Sequence, residues 1–227
     1  MTTLAQVIAE ACRLHLMRGM EVALAEVGYS RVAGVDEVGR GCLAGPVVAA
    51  AVIPDPSISL PGVDDSKALT APERERLADA ISATSRASAV IFVSAAVIDR
   101  INILQASLLA MRRALVSLTP QPECAVIDAV SLRGFGFPCL SIVRGDQISY
   151  AVACASIVAK VARDRYMCEL APKYPQYGFE GHKGYGAPEH IAALREHGPC
   201  PEHRLTFRTV VPRTHSGAAA FGRGEAA

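Results

Sequence analysis

The sequence predicts an α/β fold: a mixed sheet flanked by helices. Apolar, β-branched runs bracketed by Gly or Pro come first, and strand–helix alternation follows, the pattern of a mixed sheet with helices on its faces. A hydrophobic content of 51% over 227 residues is ample for one sizeable core. No internal repeat interrupts the pattern.

Residues 4–27 carry Leu4, Val7, Ile8, Ala11 and Leu14 at helical spacing, with Gly28 as the stop. They read as an N-terminal helical extension, residues 1–29. Strands follow near 31–36 and 46–53, then a turn-rich loop from Pro54 to Gly62. Thr70-Ala71-Pro72-Glu73 begins a helix, with Thr as N-cap, Pro in the first turn and Glu at the capping-box position. A third strand lies near 89–95 and a helix over 102–118. The fourth strand, Cys124-Ala125-Val126-Ile127, runs into Asp128. A short strand spans 138–143, the Ala-rich segment 147–170 reads as one long helix, and Pro188 opens a helix reaching His197. The Gly/Ala-rich tail, 214–227, reads as disordered, leaving 30–213 as the domain that holds the sheet.

Composition excludes several classes. The net charge of +1 gives no global basic field, so nucleic-acid binding must use a local surface. The longest uncharged stretch, Gly41 to Pro54, is too short and too marked by Pro and Gly to span a bilayer. No Lys or Arg precedes Arg13, so a signal-peptide n-region is missing. Seven cysteines without a CxxC pair read mostly as small buried apolar residues in a reducing cytoplasm.

The chemistry concentrates at Asp36-Glu37-Val38-Gly39-Arg40-Gly41. Two adjacent acids end an apolar strand, where ionised carboxylates need a partner, and a divalent cation accepts carboxylate oxygens readily. Arg40 between Gly39 and Gly41 places a planar donor fork and bare backbone beside that cation, an arrangement suited to phosphate. Gly39 to Ala44 also fits a dinucleotide-binding pattern. That pattern requires a helix next, whereas Pro46 is followed by the strand-like Val47–Ile53, so the reading is rejected.

Asp128 ends a strand as Asp36 does, and Asp146 follows Gly145 at the start of the long helix, where it can cap. These four acids sit at element ends, where a sheet can gather them. Two divalent ions held there could clamp the attacking and leaving oxygens of a phosphodiester. Asp164 competes for the fourth place. On a continuous helix it lies roughly 27 Å from Asp146 at about 1.5 Å per residue, so both cannot serve, and Asp164 is expected to pair with a basic neighbour. Lys160, Arg163, Lys183 and Arg204 are placed around Tyr185 as candidate substrate-binding groups, and the Gly-flanked ring of Tyr185 suits stacking on a sugar or base. Lys67 is a further candidate phosphate contact. His190, His197 and His203 lack metal-ligand spacing.

Together these blocks resemble the ribonuclease HII family, the type 2 ribonucleases H of bacteria. The resemblance runs from about Val32 to Val211. It rests on Val35–Gly41 with Ala44-Gly45-Pro46-Val47, Asp65–Leu69, Ile127-Asp128, Gly145-Asp146, Ala155–Asp164, Lys183–Gly186 and His203–Phe207, in that order. Ala187 departs from the family's usual Thr. The resemblance implies an RNase H-like fold with a C-terminal helical portion, and endonucleolytic cleavage of RNA paired with DNA, including single ribonucleotides in duplex DNA. The cut would fall 5′ of the ribonucleotide, leaving a 3′-hydroxyl and a 5′-phosphate, with Mg2+ or Mn2+ required. It also implies that Asp36, Glu37, Asp128 and Asp146 bind metal. Gly39, Arg40 and Gly41 would read the 2′-hydroxyl and hold the adjacent phosphate, and Tyr185 would pack at the junction sugar. A monomer in the cytoplasm is expected. Two alternatives stand beside this: another two-metal nuclease of the same architecture acting on DNA, and a non-catalytic nucleic-acid-binding module.

Overall fold

Two helices, α1 (Leu4–Met17) and α2 (Gly19–Glu26), precede the sheet in the computed structural model, which describes residues 3–211. Position 18 therefore divides the expected 4–27 helix in two. The expected disordered tail lies outside the described residues. Strands β1 (Val32–Val38) and β2 (Val47–Ile53) follow, then α3 (Ala71–Thr84), β3 (Ala87–Val93), α4 (Ala95–Ile101) and α5 (Ile103–Val116). After β4 (Cys124–Asp128) and β5 (Cys139–Ile142) come α6 (Gly145–Ile148), α7 (Tyr150–Leu170), α8 (Phe179–His182) and α9 (Pro188–His197). The start of α3 is held as its sequence predicts: the Thr70 backbone N–H and hydroxyl both donate to Glu73, at 2.8 and 2.6 Å.

The sheet order is β3-β2-β1-β4-β5. β1 pairs antiparallel with β2 and parallel with β4, and β5 extends the parallel side. Alternation along each strand sorts the two faces. Ala33, Val35, Ala49, Ala51 and Ile127 pack with Met111 and Leu115 of α5. Ala50 and Val52 join Ala153, Ile157 and Val161 of α7. Gly34 lets α7 lie directly on β1: a Cβ there would overlap the Ala151 carbonyl and the Val152 amide.

The expected 147–170 helix is also broken. Ser149 ends α6 and caps α7, its hydroxyl accepting from Val152 N–H at 3.3 Å. Glu21 of α2 fixes this break from a distance. One oxygen accepts from the Ser149 hydroxyl at 2.5 Å and the Ala151 N–H at 2.9 Å. Leu14 and Met17 of α1 enter the α7-side core, so the N-terminal helices are packed against the sheet domain. Cys42, Cys124, Cys154 and Cys200 are buried as expected, but Cys12 and Cys168 are exposed; each lies on the solvent side of its helix. No helix among the described residues is long and apolar enough to cross a membrane.

Candidate active site

The parallel pairing of β1 and β4 builds the site. In the register Val35 lies beside Ile127, so the next residues, Asp36 and Asp128, emerge together at one sheet edge. Both fall on the α7 side, in phase with Gly34 and Val126. β5 runs parallel to β4 and delivers the chain to the same edge. There Gly145 N–H donates to Asp128 Oδ1 at 2.7 Å, which seats the α6 turn, and with it Asp146, against β4. Asp146 is not the cap of the long helix, as the sequence implied. It lies inside the separate turn α6, and Ser149 takes the capping role.

The electrostatics are unfavourable for bare acids. Asp36 is buried, and desolvation, then the charges of Glu37 and Asp128, push its carboxyl up to about 8. Burial likewise raises Glu37. Arg40 Nη1 donates to Glu37 Oε1 at 3.1 Å, but Glu37 Oε2 is buried without a hydrogen-bond partner. An orphan carboxylate oxygen costs stability until a cation or donor reaches it. The oxygen-only donor set is the hard-ligand chemistry of a divalent cation, so these residues fit such an ion. Lys67, largely exposed, reaches Asp146 Oδ2 with its ammonium at 3.2 Å. Among the described residues no three His, Cys, Asp or Glu side chains are drawn into a closed ligand set.

The remaining expected residues divide into two groups. Tyr185 is 42% exposed, with Lys160 Nζ 5.9 Å and the Arg163 guanidinium 5.7 Å from its ring centroid. Lys160 also pairs with Asp164 at 2.8 Å, the local partner expected for that acid. Lys183 is left-handed at φ 52°, and its ammonium donates to the Glu180 carbonyl.

Arg163 and Arg204 depart from the expectation that they face substrate. Both are fully buried. Arg163 donates to the carbonyls of Pro46, Lys183 and Ala44 at 3.0, 2.9 and 3.1 Å. Arg204 donates to Gly45 O twice, at 3.0 and 2.9 Å, and to Arg40 O at 3.0 Å. Their forks brace the Gly39–Gly45 and 182–186 loops from behind. A sequence shows a positive charge but not which way it points. Gly39 is required for this packing: at φ +90° its missing Cβ leaves room for the Arg163 side chain.

Ala187 caps α9 with extended dihedrals and offers no side-chain acceptor, with Pro188 next. Ala187→Thr is expected to raise stability by about 1 kcal/mol by supplying the missing cap. The check is the thermal melting midpoint; an unchanged value would show that this helix start is already satisfied.

Comparison with known proteins agrees with the geometry. A family profile described as Ribonuclease HII matches residues 33–210. The Ribonuclease HII of Geobacter metallireducens is 54% identical over 183 residues, covering 81% of this chain and 86% of that protein. That of Caldicellulosiruptor bescii is 48% identical over 188 residues, covering 83% and 91%. The crystal structure of the ribonuclease H2 from Pyrococcus horikoshii OT3 superposes with a TM-score of 0.68 at 29% identity, covering 79% of this chain and 95% of that one. The matched span contains the whole acid-bearing sheet edge and both braced loops, and on this ground the chain belongs to the ribonuclease HII family of hydrolytic endoribonucleases.

Proposed function

We propose that this enzyme cuts RNA paired with DNA, and cuts 5′ of a single ribonucleotide embedded in duplex DNA, leaving a 3′-hydroxyl and a 5′-phosphate. The observation that carries this reading is the meeting of two features at one sheet edge. The acids of β1 and β4 stand there beside the Gly39-Arg40-Gly41 turn, whose carbonyl at Arg40 is pinned by Arg204. Asp36, Glu37, Asp128 and Asp146 would hold the divalent ions, Mg2+ or Mn2+. When bound, such ions supply Lewis-acid stabilisation of charge on the attacking and leaving oxygens.

The protein's own residues would do the rest. A turn fixed from behind presents backbone groups to the 2′-hydroxyl without reorganising. A site built for a hydroxyl rejects a nucleotide lacking it, because its polar groups are then left unpaired. Arg40 would share its guanidinium between Glu37 and the adjacent phosphate. Lys67 would release Asp146 as cations bind and turn to the phosphate backbone. Tyr185, braced over Lys160 and Arg163, would pack on the junction sugar. Residues 30–213 are read as the catalytic domain, acting as a monomer in the cytoplasm.

Tyr185→Ala is expected to lower kcat/KM on a single-ribonucleotide duplex by the equivalent of about 1–3 kcal/mol, the usual effect of losing one stacked contact. Its Mg2+ dependence should stay near the parent's. Steady-state kinetics with Mg2+ titrated for each variant decides it; parental cleavage by Tyr185→Ala would make Tyr185 a packing residue only.

A further inference from the structure

The loop that carries Tyr185 ends on a histidine relay whose protons are fully determined by its neighbours. The Tyr185 carbonyl accepts only, so His190 Nδ1, 2.7 Å away, must carry a proton and donate it. His190 Nε2 is then a lone-pair acceptor. It lies 3.0 Å from His203 Nε2, which must therefore be the donor. His203 Nδ1 is left to accept, and the Cys200 backbone N–H donates to it at 3.0 Å. One chain of donors thus runs from Cys200 through His203 and His190 to the Tyr185 carbonyl.

The relay has no place for an extra proton. A second proton on His190 would set two N–H groups face to face at 3.0 Å. On His203 it would face the Cys200 N–H. Both rings are fully buried. They lie among Tyr177, Phe179 and the stacked ring of His182, 4.3 Å from His190. Burial holds His203 down to about 4 and lowers His190 as well. His203 is itself anchored next to the active-site loop, since it bridges Ala44 and the following Arg204 N–H donates to Leu43 O at 2.9 Å. The Tyr185 carbonyl also accepts from Ala187 N–H at 2.8 Å, so His190 fills its second acceptor position. The other carbonyls of the 182–185 turn are taken as well: that of His182 by Tyr185 N–H at 2.9 Å, that of Lys183 by Arg163, that of Gly184 by Leu43 N–H at 2.8 Å.

The geometry points to His190 and His203 as positioning residues for substrate cleavage: His203 locks His190 in its Nδ1–H form, and His190 thereby fixes the backbone from which the Tyr185 ring projects. This rests on the proposed role of Tyr185 at the junction sugar. Neither histidine touches substrate, and the relay acts only through the Tyr185 carbonyl.

The test is a double-mutant cycle on a single-ribonucleotide duplex at fixed pH and Mg2+. It uses His190→Leu, which removes the donor, and His190→Asn, whose amide can still donate to Tyr185 O. Each is made in the parent and in Tyr185→Ala, with melting midpoints above the assay temperature. His190→Leu should lower kcat/KM about tenfold in the parent but less than about twofold in Tyr185→Ala, since residues acting through one contact are not additive. His190→Asn should recover most of the loss. An equal loss in both backgrounds, or no rescue by His190→Asn, would overturn the relay while leaving the Tyr185 reading in place. Parental cleavage by Tyr185→Ala would overturn both. Imidazole 15N shifts give a second readout. The parent should show His190 protonated at Nδ1 and bare at Nε2, and His203 protonated at Nε2 and bare at Nδ1; a parent His190 protonated at Nε2 would contradict the relay directly.

Discussion

Asp36→Asn is expected to abolish cleavage, by at least about 10³-fold or roughly 4 kcal/mol of transition-state stabilisation, while leaving the protein folded. Asn keeps an oxygen for the Glu37 N–H, which Asp36 Oδ1 accepts at 2.7 Å. It also removes a buried acid that desolvation and two acidic neighbours disfavour. Without divalent cation the melting midpoint should therefore equal or exceed the parent's. Mg2+ or Mn2+ should raise the parent's midpoint by mass action on the folded state, and raise that of the variant much less. Melting curves with EDTA or with Mg2+ separate ligand loss from misfolding. Turnover close to the parent's at saturating Mg2+ would remove Asp36 from the site.

Gly34→Ala is expected to be the most destabilising small substitution in the sheet, by about 4 kcal/mol or more, with little folded protein recovered. The obstruction is backbone, not a flexible side chain: the new Cβ would meet the Ala151 carbonyl and Val152 amide of α7. Either α7 or β1 must move. β1 carries Asp36 two residues on, and α7 supplies Ser156, whose hydroxyl meets that of Ser66 at 3.0 Å beside the Lys67 loop. Activity should fall with stability. Soluble yield and the urea midpoint measure it; a parental midpoint would show that α7 can shift without cost.

The acid positions were legible because their signal is local. An acid ending an apolar run reads the same in one dimension as at the end of a buried strand. The parallel register of β1 with β4 then converts two such endings into one edge. The Thr70–Glu73 box and the start of α9 at Pro188 were legible for the same reason. The breaks at Arg18 and Ser149 were not. An Ala-rich run carries strong helical periodicity, and the device that fixes the second break, Glu21, is 128 residues away in sequence. The burial of Arg163 and Arg204 was hidden likewise, since their partners are main-chain carbonyls and a carbonyl has no sequence signature. The histidine relay left no metal-like spacing, because its chemistry is hydrogen bonding between helix α9 and the segments on either side of it.

On the proposed reading, one sheet edge joins a metal-dependent hydrolytic centre to a reader of the 2′-hydroxyl. The most direct measurement maps both product ends after incubating a DNA duplex holding one ribonucleotide with Mg2+, beside an all-DNA duplex of the same sequence. A single cut 5′ of the ribonucleotide is expected, with 3′-hydroxyl and 5′-phosphate ends, and an intact all-DNA control. Cleavage of both duplexes, or binding without cleavage on adding Mg2+, would contradict it.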